Sequence, residues 1–197
     1  MTATKDIEIR AALHGKRLNA LRSAPDTLVI DELGLSHAKV RIDVAVINGC
    51  VHGYEIKSGL DTLERLPNQI ELYSQCLEKL TLVCAPRHTD KALAVIPDWC
   101  GLLEASKGPR GGFSFKTIRK ASVNPEINAV QLAHLLWRPE ALQLVSRLDL
   151  PDKKIAKMPR KELYEIIATH LSVKQITTAI PELMQLRQAW RDRPARA

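Results

Sequence analysis

Two short apolar segments joined by an Asn-Gly dipeptide constrain the fold of this chain more than any other feature. Val40–Ile47 and Val51–Ser58 are rich in β-branched residues and partly alternate, as strands do, and Asn-Gly is a strong hairpin signal. Asp43 lies in the first segment, and Glu55 and Lys57 lie in the second. The sequence therefore predicts a β-hairpin that carries two acids and a lysine.

The length of the hairpin turn decides whether the two acids meet. A two-residue turn would put Asp43 and Glu55 on opposite faces of the sheet, because one step in register reverses every side chain. A three-residue turn, in which Val46 pairs with Cys50, puts both acids on one face. It also places Gly49 at the left-handed position that such turns favour. We predict the odd-numbered turn, or a bulge with the same effect.

The acids and the lysine form a group that suits phosphate chemistry. Glu55 and Lys57 are two positions apart, so they share a face of their strand. Two carboxylates can hold Mg²⁺, a hard cation that prefers oxygen ligands, and the main-chain carbonyl of Ile56 is a candidate third ligand. Such an ion activates water, and Lys57 can orient the nucleophile or neutralise developing charge. The alternative is that these are ordinary surface charges.

The surrounding segments predict an α/β fold with a mixed sheet. Helical spacing of apolar residues marks 6–21 and 61–79, whereas 27–33 and 80–85 have the composition of strands. Two further extended segments flank a basic turn that contains Arg110. From Pro125 onward the pattern is helical. We predict a core at 1–124 and a basic helical region at 125–197.

The hairpin resembles a known superfamily. It contains Asp43, then eleven residues, then Glu55-Ile56-Lys57. This pattern is similar to motifs II and III of the PD-(D/E)XK nucleases, in the form seen in Holliday-junction resolvases. The segment D-T-L-E-R-L-P-N-Q-I-E-L-Y contains a Q-x-x-x-Y motif, Gln69 and Tyr73, and resembles a bacterial family of short proteins in that superfamily. The resemblance covers about residues 5–105. It implies a restriction-endonuclease-like αβββαβ core with a C-terminal helical appendage.

The resemblance also implies a site and a cofactor. Superfamily members usually have one further acid, from the first helix or from the strand before Asp43, and we favour Glu32 over Glu8. The implied catalytic residues are Glu32, Asp43, Glu55, Lys57, Gln69 and Tyr73. The implied metal ligands are Asp43, Glu55 and the Ile56 carbonyl, with Mg²⁺ as cofactor and Mn²⁺ able to substitute. Gln69 as a surface amide and Tyr73 as a core residue are the alternatives.

Charge indicates a polyanionic partner. The net charge is +7. Residues 1–100 contain 12 Lys or Arg against 13 Asp or Glu, whereas residues 101–197 contain 17 against 9. Candidate contacts to nucleic acid, DNA by preference, are Ser58, Arg110, Lys153, Lys154, Lys157, Arg160 and Lys161. Ser58 equally suits the end of a strand. The last five surround a faint resemblance to the SAP-type DNA-binding motif, and an appendage that packs on the core or forms a dimer contact is the alternative.

Three hypotheses of function follow. The first is a Mg²⁺-dependent deoxyribonuclease that acts in repair, recombination or defence. The others are a non-catalytic nucleic-acid-binding module with the nuclease fold, and a subunit that depends on a partner, in a homodimer or a larger complex. No apolar run approaches the ~18 residues of a membrane span. The first ten residues lack the apolar stretch of a signal peptide, so we expect a cytoplasmic protein.

Overall fold

A six-stranded mixed sheet with helices on both faces forms the protein, as a computed structural model shows for residues 4–36, 38–150 and 155–185. The strands lie side by side in chain order. They are β1 (Leu28–Leu35), β2 (Val40–Ile47), β3 (Val51–Lys57), β4 (Lys79–Cys84), β5 (Gly101–Lys107) and β6 (Phe113–Arg119). β3, β4 and β5 are parallel, and the other neighbouring pairs are antiparallel. The predicted α/β class and mixed sheet are confirmed.

Helices precede, connect and follow the strands. Before the sheet come α1 (Asp6–Leu13), a π-helical turn (His14–Leu18) and α2 (Asn19–Arg22), and α3 (Leu66–Ser74) and α4 (Thr89–Leu93) connect the parallel strands. The C-terminal helices are α5 (Ala129–Ala133), α6 (Arg138–Ser146), α7 (Arg160–His170) and α8 (Val173–Gln185), and 3₁₀ turns occupy Pro86–His88 and Ile155–Lys157. The order helix, three strands, helix, strand is the predicted one. None of the helices in the described part of the chain has the length and apolarity that crossing a membrane needs.

The helix α3 is shorter than the sequence predicts. Residues 61–65 belong to the loop before it, where the Asp61 carboxylate accepts hydrogen bonds from the main-chain N–H and the hydroxyl of Ser58, at 2.7 and 2.6 Å. Pro67 lies in the first turn of the helix, as predicted, where a missing N–H costs nothing. The buried Asn124 closes the other end by donating to the carbonyls of Ser74 and Leu77.

Each face of the sheet is covered by its own apolar layer. On one face, Ile9 and Leu13 of α1 pack with Val44, Ile56 and Val83. On the other face, the residues of α3 pack with β4 in a layer that continues into the C-terminal helices. That layer includes Leu66, Ile70, Leu80, Leu82, Leu132, Val145, Leu163 and Ile176. The helices α5–α8 therefore pack on the core, and the domain boundary at residue 124 stays a prediction.

The β2–β3 turn has the odd length that the sequence predicts, with a different register. Ile47 pairs with Val51, so residues 48–50 form the turn, rather than Val46 pairing with Cys50. Both Ile47 and Val51 are fully buried, and keeping them in the ladder favours this register. Gly49 has φ +76°, in the left-handed region as predicted. The ladder ends at Val44–Tyr54, directly before the positions of Asp43 and Glu55.

Candidate functional site

Asp43 lies where β2 and β3 separate. Their pairing ends at Val44–Tyr54. Beyond this point the Asp43 Oδ2 accepts a hydrogen bond from the main-chain N–H of Ile56 at 2.6 Å. The alternation of β2 also changes here, because Val44 packs towards α1 whereas Ile42 packs in the opposite layer. The carboxylate is thereby held in the fork between the two strands.

Glu55 and Lys57 form a buried pair beside this fork. They are 3% and 6% exposed, and Lys57 Nζ lies 2.8 Å from Glu55 Oε1. Gln69 donates from Nε2 to Glu55 Oε1 at 2.8 Å and accepts from Lys57 Nζ at 2.9 Å. The Tyr73 hydroxyl lies 2.7 Å from Glu55 Oε2 and 2.8 Å from the carbonyl oxygen of Arg41, and donates its proton to one of them. The structure thus brings these four predicted residues into one hydrogen-bonded group.

The two acids repel each other in this environment. Burial, and then the negative charge of Glu55, raise the pKa of Asp43 to about 7, against the opposing effects of the Ile56 N–H and Arg10. Burial and the same glutamate also raise the pKa of the Tyr73 hydroxyl well above its usual value, so it stays a hydrogen-bond donor. A cation placed near both carboxylates would be stabilised.

The first helix contributes two residues that the sequence analysis missed, Asp6 and Arg10. The Arg10 Nη2 lies 3.0 Å from Asp43 Oδ1 and 3.1 Å from Asp6 Oδ2, and its Nη1 lies 2.5 Å from Glu32 Oε1. One guanidinium therefore binds three carboxylates from three elements. The spacing of four between Asp6 and Arg10, which places them on one side of a helix, is the sequence signal that could have found them.

The candidate further acids have different surroundings. Glu32 lies in β1 between residues that pair with Ile42 and Val44, and it binds Arg10. Its φ of +56° is a left-handed conformation that costs a non-glycine residue about 1 kcal/mol. Glu8 instead bonds Lys107 at 2.5 Å. On the first helix, Asp6 rather than Glu8 faces the acids.

The acids do not form a three-residue metal cluster. Within 4–36, 38–150 and 155–185, no three His, Cys, Asp or Glu side chains are placed together to hold a metal ion. Asp43 and Glu55 are therefore a two-carboxylate group, with Glu32 joined to Asp43 through Arg10. Ile56 enters the site through its main chain, and the ligand role of its carbonyl stays a prediction.

The predicted nucleic-acid contacts belong to separate elements. Ser58 is buried and its hydroxyl donates to Asp61, so it shapes the loop after β3, and a phosphate contact would require that loop to open. Arg110 is exposed in the β5–β6 turn, and Lys157, Arg160 and Lys161 are exposed at and before the start of α7. Lys153 and Lys154 lie outside the described residues.

Fold and site define an α/β protein in which a partly exposed aspartate lies at a fork between strands, next to a buried glutamate–lysine pair. By sequence, the chain belongs to the Bacteriophage P4 protein cII family, whose model matches residues 2–193. It is similar to protein cII of Enterobacteria phage P4, with 27% identity over 151 residues, which are 77% of this chain and 56% of the relative. The chain thus spans little more than half the length of that relative. No solved structure matches it.

Proposed function

We propose that this chain is a metal-dependent nuclease with a PD-(D/E)XK core that hydrolyses phosphodiester bonds in DNA, in repair, recombination or defence. The observation that carries the proposal is the placement of Asp43 in the strand fork next to the buried Glu55–Lys57 pair. The residues Gln69 and Tyr73 of α3, at the positions of the Q-x-x-x-Y motif, support it by binding Glu55. The αβββαβ order of elements supports the restriction-endonuclease-like core.

The donor set suits a hard divalent cation such as Mg²⁺, with Mn²⁺ as a substitute. Asp43 Oδ1 and Asp43 Oδ2 each accept one hydrogen bond and Glu55 Oε2 accepts at most one, so each oxygen keeps a lone pair for a ligand. The Ile56 carbonyl is the proposed third protein ligand. The repulsion that raises the pKa of Asp43 is what such a cation would relieve. When bound, the ion supplies charge stabilisation at the phosphate and lowers the pKa of a coordinated water.

Lys57 is held ready to act on the substrate. Its ammonium group has three protons, and hydrogen bonds to Glu55 Oε1 and Gln69 Oε1 use two of them. The third can be donated to the attacking water or to a phosphate oxygen. Because Glu55 and Gln69 already orient the group, little reorganisation is needed when charge develops. The exposed basic residues Arg110, Lys157, Arg160 and Lys161 are the proposed contacts to the DNA backbone.

The proposal is tested by incubating wild type and a Glu55→Ala variant with labelled single-stranded, duplex and branched DNA, in Mg²⁺, Mn²⁺ or EDTA. We expect cleavage that needs the metal and that falls at least about 100-fold in Glu55→Ala, since the variant loses a metal ligand and the partner of Lys57. A Glu71→Ala variant is the matched control, because it removes an exposed carboxylate from α3. It should cleave as wild type does.

Two results would contradict the proposal. Equal cleavage by wild type and Glu55→Ala would place the activity elsewhere or in a contaminant. Absence of cleavage on every substrate, with DNA binding retained by both proteins, would favour the non-catalytic binding module. If cleavage appears only with a co-purifying protein, the chain is a partner-dependent subunit.

A Tyr73→Phe variant distinguishes two roles of Tyr73, the hydrogen bond of its hydroxyl to Glu55 and the packing of its ring in the core. The ring still fills the core, but Glu55 Oε2 loses its hydroxyl neighbour, so we expect the free energy of unfolding to fall by about 1–2 kcal/mol and cleavage to fall by about tenfold. Tyr164→Phe is the control, because that buried hydroxyl donates at 2.6 Å to the carbonyl of Leu136, far along the chain from Glu55. Urea unfolding of Tyr164→Phe should show a similar loss of free energy of unfolding, and its cleavage should equal that of wild type. Equal cleavage losses in both variants would mean that Tyr73 acts through stability alone.

A further inference from the structure

An open cavity of about 410 Å³ lies on the face of the sheet that is opposite Glu55 and Lys57. His52 and Tyr54 of β3 and Thr81 of β4 line it. Because neighbouring residues of a strand point to opposite faces, His52 and Tyr54 are directed away from Glu55. The cavity is therefore separate from the proposed catalytic group. Its volume is within the range of roughly 300–1,000 Å³ that is typical of small-molecule sites.

The side chains around this cavity are basic, and none of the described residues that line it is acidic. The basic residues are Lys16, Arg17, Lys79, Arg119 and Lys120. The first two come from the π-helical turn, a rare geometry that often marks functional sites. Such a concentration of one charge in a concave surface produces a strong positive potential.

Neutral acceptors bind three of these cations, one of which, Arg119, also has a carboxylate neighbour. Lys16 Nζ donates to the carbonyl of Phe113 at 2.6 Å, and Arg17 Nη2 donates to the hydroxyl of Thr117 at 2.9 Å. Arg119 donates mainly to main-chain carbonyls, and its carboxylate neighbour Asp98, at 3.5 Å, is fully exposed to solvent. The positive charge at the cavity is therefore largely uncompensated.

The other two cations at the cavity are Lys79 and Lys120. In the part of the chain that the structure describes, no hydrogen bond or ion pair engages the ammonium groups of Lys79 and Lys120. Next to Lys79, the rings of His52 and Tyr54 stack with centroids 4.4 Å apart. Burial and the charge of Lys79 lower the pKa of His52 to about 4, so this ring is neutral at neutral pH. The cavity thus combines free ammonium groups with neutral planar rings.

We propose that this cavity binds a phosphate-bearing ligand of nucleotide size, either a free nucleotide or one nucleotide unit of a single strand. Lysine and arginine side chains bind phosphate oxygens, and aromatic rings provide surfaces on which bases stack. The site needs neither Asp43 nor Glu55 and requires no divalent cation. It is therefore additional to the proposed nuclease centre.

The test measures binding of ATP and of a short single-stranded deoxyoligonucleotide to the full chain in EDTA, so that cleavage does not contribute. A Lys79→Gln/Lys120→Gln variant removes two charges from the cavity, and a Lys91→Gln/Lys116→Gln variant removes two charges from exposed positions outside it. We expect the cavity variant to weaken binding about tenfold and to reduce the salt dependence of oligonucleotide binding by about two charges. The control should change binding less than about twofold.

The outcomes identify the source of the phosphate. Weakened binding of ATP in the cavity variant assigns the site to a nucleotide, and weakened binding of the oligonucleotide alone assigns it to a strand. Equal effects of both double variants, or no binding of either probe by wild type, would overturn the proposal. Because binding is measured in EDTA and cleavage is measured with metal, failure of the nuclease proposal and failure of this one are distinguishable.

Discussion

Replacing Lys57 with methionine is expected to lower the free energy of unfolding by about 3 kcal/mol and to reduce metal-dependent cleavage at least about 100-fold. Glu55 and Lys57 are both almost fully buried, and their charged atoms are 2.8 Å apart. Methionine preserves most of the volume of the lysine but leaves the glutamate charge without its cation. Losing one partner of a buried pair costs far more than losing both. Urea unfolding and the cleavage assay measure the two effects.

A double variant shows whether the unpaired Glu55 carboxylate causes the loss of stability in Lys57→Met. In Glu55→Gln/Lys57→Met neither side chain is charged, so we expect most of the lost stability to return while cleavage stays absent. Lys161→Met is the control, since Lys161 and Glu165 are 4.0 Å apart and both well exposed. That variant should change stability by less than about 0.5 kcal/mol. If the stability losses of Glu55→Gln and Lys57→Met, each measured alone, add up to the loss of the double variant, the two charges are not coupled and the unpaired charge is not the cause.

An Asp43→Asn variant is expected to abolish cleavage and yet to stabilise the metal-free protein at alkaline pH. The pKa of Asp43 is about 7 in the folded protein and 3.8 in its ordinary state. Between these values the folded state binds more protons than the unfolded state, so stability falls as pH rises from about 4 to about 7. Asparagine cannot ionise, so the variant avoids this loss. Above pH 8 it should be more stable than wild type by on the order of 2 kcal/mol.

The measurement is urea unfolding of both proteins in EDTA from pH 4.5 to pH 8.5. The difference between the two curves reports Asp43 and the groups that interact with it, because the distant Glu78, whose pKa is also raised, contributes to both proteins. If the free energies of unfolding of the two proteins change in parallel with pH, the pKa of Asp43 is not raised by folding. Added Mg²⁺ should stabilise wild type at pH 8 and leave the variant unchanged. At limiting Mg²⁺, cleavage by wild type should decline as the pH falls below about 7, because protons then compete with the metal for Asp43.

Patterns between residues close in sequence were sufficient to predict which strands and which helix carry the residues of the site. The repeat of two along a strand placed Glu55 and Lys57 on one face, and Asn-Gly indicated a turn of odd length between the strands that carry Asp43 and Glu55. The order of helices and strands was predicted from where the spacing of apolar residues changes between that of a strand and that of a helix. The spacing of four between Gln69 and Tyr73 put both residues on the side of α3 that faces Glu55. These relations depend on neighbours in the chain, so the sequence contains them.

Contacts between distant segments escaped the sequence analysis. Arg10 reaches Asp43 across 33 positions, and nothing local to either residue indicates that one guanidinium would bind three carboxylates. Similarly, the Ser58 hydroxyl donates to the Asp61 carboxylate, so Asp61 belongs to the loop before α3 and not to the helix that the sequence predicts. The basic cavity is assembled from the π-helical turn and four strands, with Lys16 bonded to a residue 97 positions away.

By itself, the sequence determined the strand hairpin, the shared face of Glu55 and Lys57, and the α/β order, because backbone periodicity and turn chemistry are local. Only the tertiary structure decided the register through Ile47 and Val51, the role of Arg10 and the cavity behind the sheet. Those features depend on which buried surfaces fit together and which charges they bring close. Packing and electrostatics of that kind act between segments that the sequence keeps far apart.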